Sequence, residues 1–265
     1  MESSNDAPYA RVATPEEISE AAWVLARAFA HDPAMNWFGH VKEMLPEQVN
    51  DYKALPPKAR SVLRKLYAFE YSLMKATIMS GGVVTVAVVP NAAQEGAQPR
   101  DRVSKKETIA GVTIWLQPGQ PMDFRLWTML RSGLSKVPFS WGLTGVKRIS
   151  HDFSPAVERT LLKSFKARGV DRLDSWHLLA TVVDPQHQGK GLFSLMMKEG
   201  FERTAPKPVH LESSTAKSCA IYSHFLFEID EEHVFGKGSV DANGLPAKGA
   251  KATGYTEWVM TKWKY

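Results

Sequence analysis

The stretch "VVDPQHQGKG", residues 182–191, contains the change of pattern that decides the fold. Its valines are typical of a buried strand, which ends at Asp184 and Pro185. Gly189 and Gly191 follow in a short turn, and the helix-favouring run "GLFSLMMKEGFERTA" begins at the second of them. A helix N-terminus presents unpaired N–H groups and a positive dipole end. A strand, a glycine turn and a helix in this order therefore favour a phosphate-binding turn.

Three nucleotide-binding patterns compete for this turn. The P-loop pattern requires Ser or Thr after its lysine, but Lys190 is followed by Gly191. The dinucleotide pattern G-x-G-x-x-G requires a third glycine at the position of Ser194. The acetyl-CoA pattern, Q/R-x-x-G-x-G/A after a strand, is matched in full by Gln186, Gly189 and Gly191.

Composition and charge limit the class of protein. The chain has 265 residues, 44% hydrophobic and 23% charged, which is ordinary for a globular protein. Its single cysteine, Cys219, excludes an internal disulfide, and the polar start "MESSNDAPYA" is unlike a signal peptide. We therefore expect a cytoplasmic setting. No apolar run approaches the roughly 18 residues of a membrane span, so no membrane partner is expected. The net charge of +5 suits an anionic ligand, but the scattered basic residues argue against nucleic acid.

The periodicity predicts helices on both sides of mixed strands. Thr14 with Glu17 predicts a capped helix start, and 56–79 has the spacing of a long amphipathic helix. The pattern predicts an α/β (α+β) chain of one domain over 1–265, with a helical insertion at 121–170. Two further segments, 90–108 and 236–254, have few apolar groups and are predicted to be mobile.

Four stretches of the chain resemble, in the same order, the GCN5-related N-acetyltransferase (GNAT) superfamily. The resemblance is closest to its puromycin-type small-molecule acetyltransferases. It implies the GNAT acyl-CoA N-acyltransferase fold, a mixed central sheet with helices on both faces and a bulged fourth strand that splays from the fifth. The stretches are "AFAHDPAMNWF", "TIWLQPG", "HLLATVVDPQHQGKGLFSLMM" and "VHLESSTAKSCAIYSHFLFEI".

The resemblance also implies acetyl-CoA as co-substrate, within a cofactor motif at 176–227. The pantetheine arm would lie between the splayed strands, along the backbone of Val182 and Val183. The pyrophosphate would accept hydrogen bonds from the turn amides, and Lys190 would add positive charge beside it. Those amides belong to Gln188, Gly189, Lys190, Gly191 and Leu192.

The implied chemistry is direct attack of a neutral primary amine on the thioester, without a metal. Tyr222 matches the family's tyrosine that protonates the leaving thiolate. Ser218 stands where the puromycin-type branch usually has asparagine, and it can still bond the pantetheine. Leu226 replaces a usual glycine, which puts the helix exit in doubt.

The general base is less defined. Glu212 on the fifth strand is the candidate, and a surface or salt-bridged glutamate is the alternative. His177 has suitable pKa chemistry but also fits an ordinary sheet histidine. Asp32 in "HDP" fits an acceptor contact or a loop cap equally well. Cys219, one turn from Tyr222, is expected to be a small buried apolar residue.

Rival enzyme classes lack their motifs. No histidine is followed by aspartate four positions later, and the G-x-S-x-G elbow and Cys/His metal clusters are absent from the sequence. The predicted activity is acetyl transfer to a small-molecule amine, by a monomer or homodimer. Two alternatives stay open: a protein lysine or N-terminal acetyltransferase, and a non-catalytic acyl-CoA-binding module on the same fold. The sequence does not identify the acceptor.

Overall fold

The computed structural model describes residues 7–90, 107–120 and 125–264, and its centre is a seven-stranded sheet. The strand order is β1-β2-β3-β4-β5-β7-β6, with β4 parallel to β5 and the other neighbours antiparallel. The sheet is therefore mixed, as predicted. The strands are β1 Tyr9–Val12, β2 Val83–Pro90, β3 Glu107–Leu116, β4 Trp176–Val183, β5 Val209–Ser213, β6 Glu228–Phe235 and β7 Tyr255–Lys262.

Helices cover both faces of this sheet, which confirms the predicted architecture. Alternating apolar residues of β2 and β3 pack on α1 and α3 on one side and on α7 on the other. Farther along, α8 packs with α7 against β4 and β5. The helices are α1 Ile18–Ala28, α2 Pro33–Phe38, α3 Pro57–Met79, α4 Leu126–Ser132, α5 Val137–Lys147, α6 Ser154–Ala167, α7 Leu192–Thr204 and α8 Ala216–His224.

Local sequence signals set the helix starts correctly. The carboxylate of Glu17 accepts a hydrogen bond from the Thr14 N–H at 2.8 Å, so the predicted capping pair forms. A 3₁₀ turn, Pro15–Glu17, leads from this cap into α1. The predicted amphipathic helix over 56–79 is α3, and α4 to α6 occupy the described part of the stretch 121–170.

The fourth strand carries the predicted bulge. Ile114 of β3 pairs with Ala180 and Trp115 pairs with Leu178, so Leu179 is the extra residue on β4. Pairing of β4 with β5 then covers the positions of Trp176 and His177 and stops, although both strands continue. The two parallel strands therefore part toward their carboxyl ends.

The prediction that 236–254 is mobile is wrong. Val240 is 1% exposed and joins a core cluster with Trp37 and Tyr255. The backbone closes on itself, since the Gly254 N–H donates to the Val240 carbonyl at 2.8 Å. The few apolar side chains are enough to order the segment because they pack against Trp37 of α2 and Tyr255 of β7, which lie outside it. The other segment predicted to be mobile, 90–108, falls largely outside the described residues; its last two residues belong to β3.

Across the described ranges, no helix has the combination of length and apolar character needed to cross a bilayer.

Candidate active site

A cleft of about 1020 Å³ opens where β4 and β5 part. The end of α1, the strand β4, the turn before α7, the end of β5 and the helix α8 enclose it. Lys190 belongs to the turn but is not among the residues that line the cleft, and its Nζ lies 3.5 Å from Nδ1 of His187. The other predicted site residues all line it: Val182, Val183, Gln188, Gly189, Gly191, Leu192, Glu212, Ser218 and Tyr222.

An ion pair with α1 holds the turn in place. The carboxylate of Asp184 is buried and accepts hydrogen bonds from the Arg27 guanidinium, with Nε at 2.8 Å. Its other oxygen accepts from the Gln186 N–H at 3.1 Å, which starts the 3₁₀ turn Pro185–His187. The sequence showed Asp184 only as a strand end, because Arg27 lies 157 positions earlier in the chain.

Both turn glycines have backbone conformations that other residues rarely adopt. The φ angles of Gly189 and Gly191 are +76° and +77°. A Cβ added at either position would meet no described protein atom within 4 Å, so the backbone faces open space. Among the described residues no side chain caps α7, which begins at Leu192. Its first-turn N–H groups are thus available to an anionic ligand.

Tyr222 lies in the wall of the cleft that α8 forms. Its side chain is 7% exposed and packs edge-on against Phe193 and Phe227, at centroid distances of 5.7 and 5.6 Å. Burial raises the pKa of the Tyr222 hydroxyl. A tyrosine is protonated at neutral pH in any case, so the hydroxyl is available as a donor in the cleft, although the raised pKa makes it the weaker acid.

Glu212 faces the cleft within a chain of hydrogen-bonded and stacked side chains. Its Oε2 lies 2.8 Å from Nε2 of His177, and the ring of His177 stacks on His210 at 4.4 Å. Nδ1 of His210 lies 3.1 Å from the Ser175 hydroxyl. Burial and the nearby His177 lower the pKa of His210, so this buried ring stays neutral. Among the described residues the glutamate is thus paired with His177, an ion pair when the imidazole is protonated, which agrees in part with the salt-bridged alternative.

Asp32 also lines the cleft. One carboxylate oxygen accepts from the Met35 N–H at 2.9 Å and caps α2, and the other accepts from the Ser214 hydroxyl. Burial raises the pKa of Asp32. The "HDP" motif was the available signal, and its two interpretations are compatible because the same side chain caps a helix and lines the cleft.

Asp32 lies close enough to two further buried acids to influence their pKa values. Burial and the charge of Asp32 raise the pKa of Glu70 to about 8. Burial, Asp32 and Glu212 also raise the pKa of Glu257 on β7. Within the described part of the chain, neither carboxylate oxygen of Glu70 has a hydrogen-bond partner. A raised pKa favours the neutral carboxyl form, so these two acids, which do not line the cleft, add little negative charge to it at neutral pH.

Ser218 and Leu226, the two departures from the expected motif, have the following surroundings. The Ser218 hydroxyl lies 2.7 Å from the hydroxyls of Ser213 and Thr215, so it belongs to a small hydroxyl cluster at the start of α8. Leu226 adopts a φ of +67°, the left-handed conformation that glycine favours, and its side chain is exposed. Cys219 is buried, which raises the pKa of its thiol.

In the residues that the structure describes, no three His, Cys, Asp or Glu side chains are grouped so that they could hold a metal ion.

Sequence similarity to a known protein covers part of the chain. No protein-family model matches the sequence. An uncharacterised N-acetyltransferase of the yeast Schizosaccharomyces pombe is 32% identical over 127 residues, which cover 45% of this chain and 47% of the relative. The matched region thus spans about half the length of that curated relative.

Two solved structures are similar over nearly the whole chain. A mosquito arylalkylamine N-acetyltransferase-like protein, 5b, is 16% identical over 97% of this chain and 99% of its own, with a TM-score of 0.50. A putative arylalkylamine N-acetyltransferase 7 from the yellow fever mosquito is 14% identical over 96% of this chain and 86% of its own, with a TM-score of 0.53. The chain has the fold of the GNAT acetyltransferases.

Proposed function

We propose that this protein is an enzyme of the GNAT superfamily. It transfers an acetyl group from acetyl-CoA to a primary amine of a small molecule, by direct attack. The observation that carries the proposal is the cleft at the parting of β4 and β5, which brings together the glycine turn, a buried tyrosine and two carboxylates. The yeast relative is itself named an N-acetyltransferase, and the two similar structures are named arylalkylamine N-acetyltransferases.

The residues of the turn fit a pyrophosphate. The open space beside Gly189 and Gly191 lets a ligand approach the backbone closely, and the amides from Gln188 to Leu192 supply donors. We assign Val182 and Val183 to the pantetheine arm because they border the gap beside β5, and Ser218 to the same arm. Lys190, outside the lining, adds long-range positive charge. When bound, acetyl-CoA supplies the activated acetyl group.

The carboxylates act on the amine. A primary amine has a pKa of roughly 10.4, taking lysine as the model, so it enters the cleft as an ammonium ion. Asp32 and Glu212 attract the cation and are the groups placed to remove its proton. Glu212 can share that proton with His177 through their 2.8 Å contact. Tyr222, which is protonated at neutral pH, donates a proton to the departing sulfur.

An acceptor screen tests this function. The protein is incubated with acetyl-CoA and with primary arylalkylamines, aliphatic diamines, aminonucleosides and a lysine-containing peptide, and products are read by mass spectrometry. We expect a mass gain of one acetyl group on at least one small amine, abolished in Gly189→Glu. A product on the aminonucleosides would support the puromycin-type branch.

The same screen separates the alternatives. Transfer to the peptide alone would support a protein acetyltransferase. Binding of CoA in calorimetry without transfer to any amine would support a non-catalytic acyl-CoA module. No binding and no transfer would contradict the proposal.

A further inference from the structure

The two helices that follow residue 125 expose large apolar side chains. Leu126, Trp127 and Leu130 on α4 are 72%, 66% and 53% exposed. Phe139 and Leu143 on α5 are 90% and 80% exposed. Single exposed apolar residues are ordinary, but five in two consecutive helices indicate a surface that binds something. These five side chains are called the α4–α5 apolar surface below.

Helix α4 orients its side chains in the reverse of the usual way. An amphipathic helix normally turns its large apolar residues toward the core. Helix α4 instead buries the small polar residues Thr128 and Ser132, one turn apart, and leaves its tryptophan in solvent. Helix α5 buries Trp141 and Gly145 and leaves Phe139 and Leu143 exposed, on either side of a kink at Gly142, whose φ is +72°. The fold therefore does not use this apolar surface for its own core.

Charged residues are mostly basic in the helices that carry this surface and in the helix α3 on which they pack, although the exposed Asp152 lies in the segment that follows α5. Helices α4 and α5 both pack against α3. The ranges 57–79 and 126–147 contain these three helices and the short connection between α4 and α5. Glu70 is the acidic residue in these ranges, and it is buried. The Arg131 guanidinium lies over the Trp127 ring, 5.4 Å from its centroid. The eight basic residues of these ranges are Lys58, Arg60, Arg64, Lys65, Lys75, Arg131, Lys136 and Lys147.

We infer that the α4–α5 apolar surface docks on an anionic phospholipid bilayer, with Trp127, Phe139 and Leu143 inserted at the headgroup boundary. Tryptophan, phenylalanine and leucine beside lysine and arginine are typical of helices that lie in a membrane interface. Anionic headgroups attract Arg131, Lys136 and Lys147, the basic residues of the segment 126–147 that carries the surface. A second copy of this surface fits poorly, because two basic helical layers would repel each other. A nucleic acid would match the charge but would leave the apolar side chains without a partner.

This inference departs from the expectation that the protein has no membrane partner. That expectation depended on the absence of a long apolar run, which argues against a spanning helix and does not address a contact with the bilayer surface. The surface and the cleft share no named residue. Membrane docking and acetyl transfer can therefore fail independently of each other.

Vesicle flotation tests the inference. The full chain is mixed with phosphatidylcholine vesicles, with or without about one-third phosphatidylserine, and bound protein is measured after centrifugation. We expect at least about tenfold tighter binding to the anionic vesicles, weakened at high salt because screening reduces the headgroup attraction. Absence of binding to both vesicle types would overturn the inference.

Matched variants locate the contact. Phe139→Ser with Leu143→Ser should weaken anionic-vesicle binding at least about tenfold, and Lys136→Glu with Lys147→Glu should weaken it similarly. Leu173→Ser, at a residue 51% exposed elsewhere, is the control and should bind as the unaltered chain does. Melting temperature and CoA affinity should be unchanged in all of them. Equal vesicle binding by the variants would contradict the inference. So would a dimer, or an RNA complex, that the Phe139/Leu143 variant loses while vesicle binding is absent.

Discussion

At the scale of single residues, the cleft combines one acid held protonated with two carboxylates. The Tyr222 hydroxyl has its proton at neutral pH, as tyrosine ordinarily does, and burial raises its pKa. Asp32 and Glu212 line the same cleft and can accept a proton once ionised. Groups in one site that titrate far apart can act as acid and base in the same turnover.

Replacing Tyr222 with phenylalanine removes only the oxygen and keeps the packing against Phe193 and Phe227. Because general acid catalysis contributes about 10²–10⁴-fold, we expect kcat to fall at least about tenfold. CoA affinity and melting temperature should not change. Steady-state kinetics beside a thermal melt measure both effects, and normal turnover in a stable Tyr222→Phe variant would remove this hydroxyl from the mechanism.

The choice of base is a second prediction at this scale. A carboxylate base works when deprotonated, so kcat/KM rises with pH through its pKa and then levels off. The pKa of Asp32 is raised by burial, which places this rise above the usual aspartate range. We expect Asp32→Asn to abolish the rise and to lower kcat/KM about 100-fold at neutral pH. The helix cap should survive, since asparagine caps as well as aspartate.

Glu212→Gln is the comparison variant for this measurement. This variant should retain the rise of kcat/KM with pH, although weaker attraction of the ammonium ion should increase KM. If the rise disappears in Glu212→Gln and persists in Asp32→Asn, the glutamate that the sequence favoured is the base.

At the scale of the elements, features set by short sequence patterns were predicted better than features set by contacts between distant residues. The glycine turn, the capped start of α1 and the bulge in β4 follow from short patterns or from the family resemblance. The segment 236–254 was mispredicted because its order depends on contacts with α2 and β7. Composition reports how many apolar groups a segment has, but not which distant surfaces receive them.

Two glycines of this segment provide a matched test of its packing. Gly244 has a φ of +73°, and a Cβ there would lie 2.1 Å from the Pro33 carbonyl oxygen. Gly238 has a φ of +82° and open space around it. Alanine at either position costs about 1–2 kcal/mol for the left-handed backbone, and Gly244→Ala should cost about 1–3 kcal/mol more for the clash.

Denaturant unfolding of the two variants measures this difference. Because Pro33 follows Asp32 directly, Gly244→Ala should also lower kcat/KM, whereas Gly238→Ala should not. Equal losses of stability in the two variants would mean that 236–254 is not packed against α2.

At the scale of the whole molecule, the candidate site depends on pairs far apart in the chain. Arg27 holds Asp184, and Ser214 donates to Asp32 across 182 positions. No single-sequence pattern connects such pairs, so the "HDP" motif left Asp32 open as an acceptor contact or a loop cap. Glu70 lies within the predicted amphipathic helix 56–79, and the periodicity of that helix does not indicate that Glu70 is buried with Asp32 close enough to raise its pKa.

The buried Glu70 predicts that stability depends on pH. Its pKa is about 8 in the fold against an ordinary 4.5, so between these values the folded chain binds a proton that the unfolded chain has lost. Stability should therefore decrease as pH rises from about 5 to 8, by about 1.4 kcal/mol per pH unit for this one group. Glu70→Gln, which mimics the neutral carboxyl, should remove that share and be the more stable protein at pH 8. Unfolding curves of both proteins at pH 5.5 and 8 measure the difference; parallel pH dependences would contradict it.

Calorimetric titration of CoA tests the assignment of the turn to the cofactor. Gly189→Glu places a negative side chain where the pyrophosphate is expected, beside the start of α7. Gly249→Glu is the matched control, because that glycine also has a positive φ, at +58°, and open space, but does not line the cleft. We expect the unaltered chain and Gly249→Glu to bind CoA equally and Gly189→Glu to bind at least about 100-fold more weakly, since one electrostatic contact is replaced by repulsion. Equal binding by all three proteins, or no binding by the unaltered chain, would contradict a cofactor site between β4 and β5.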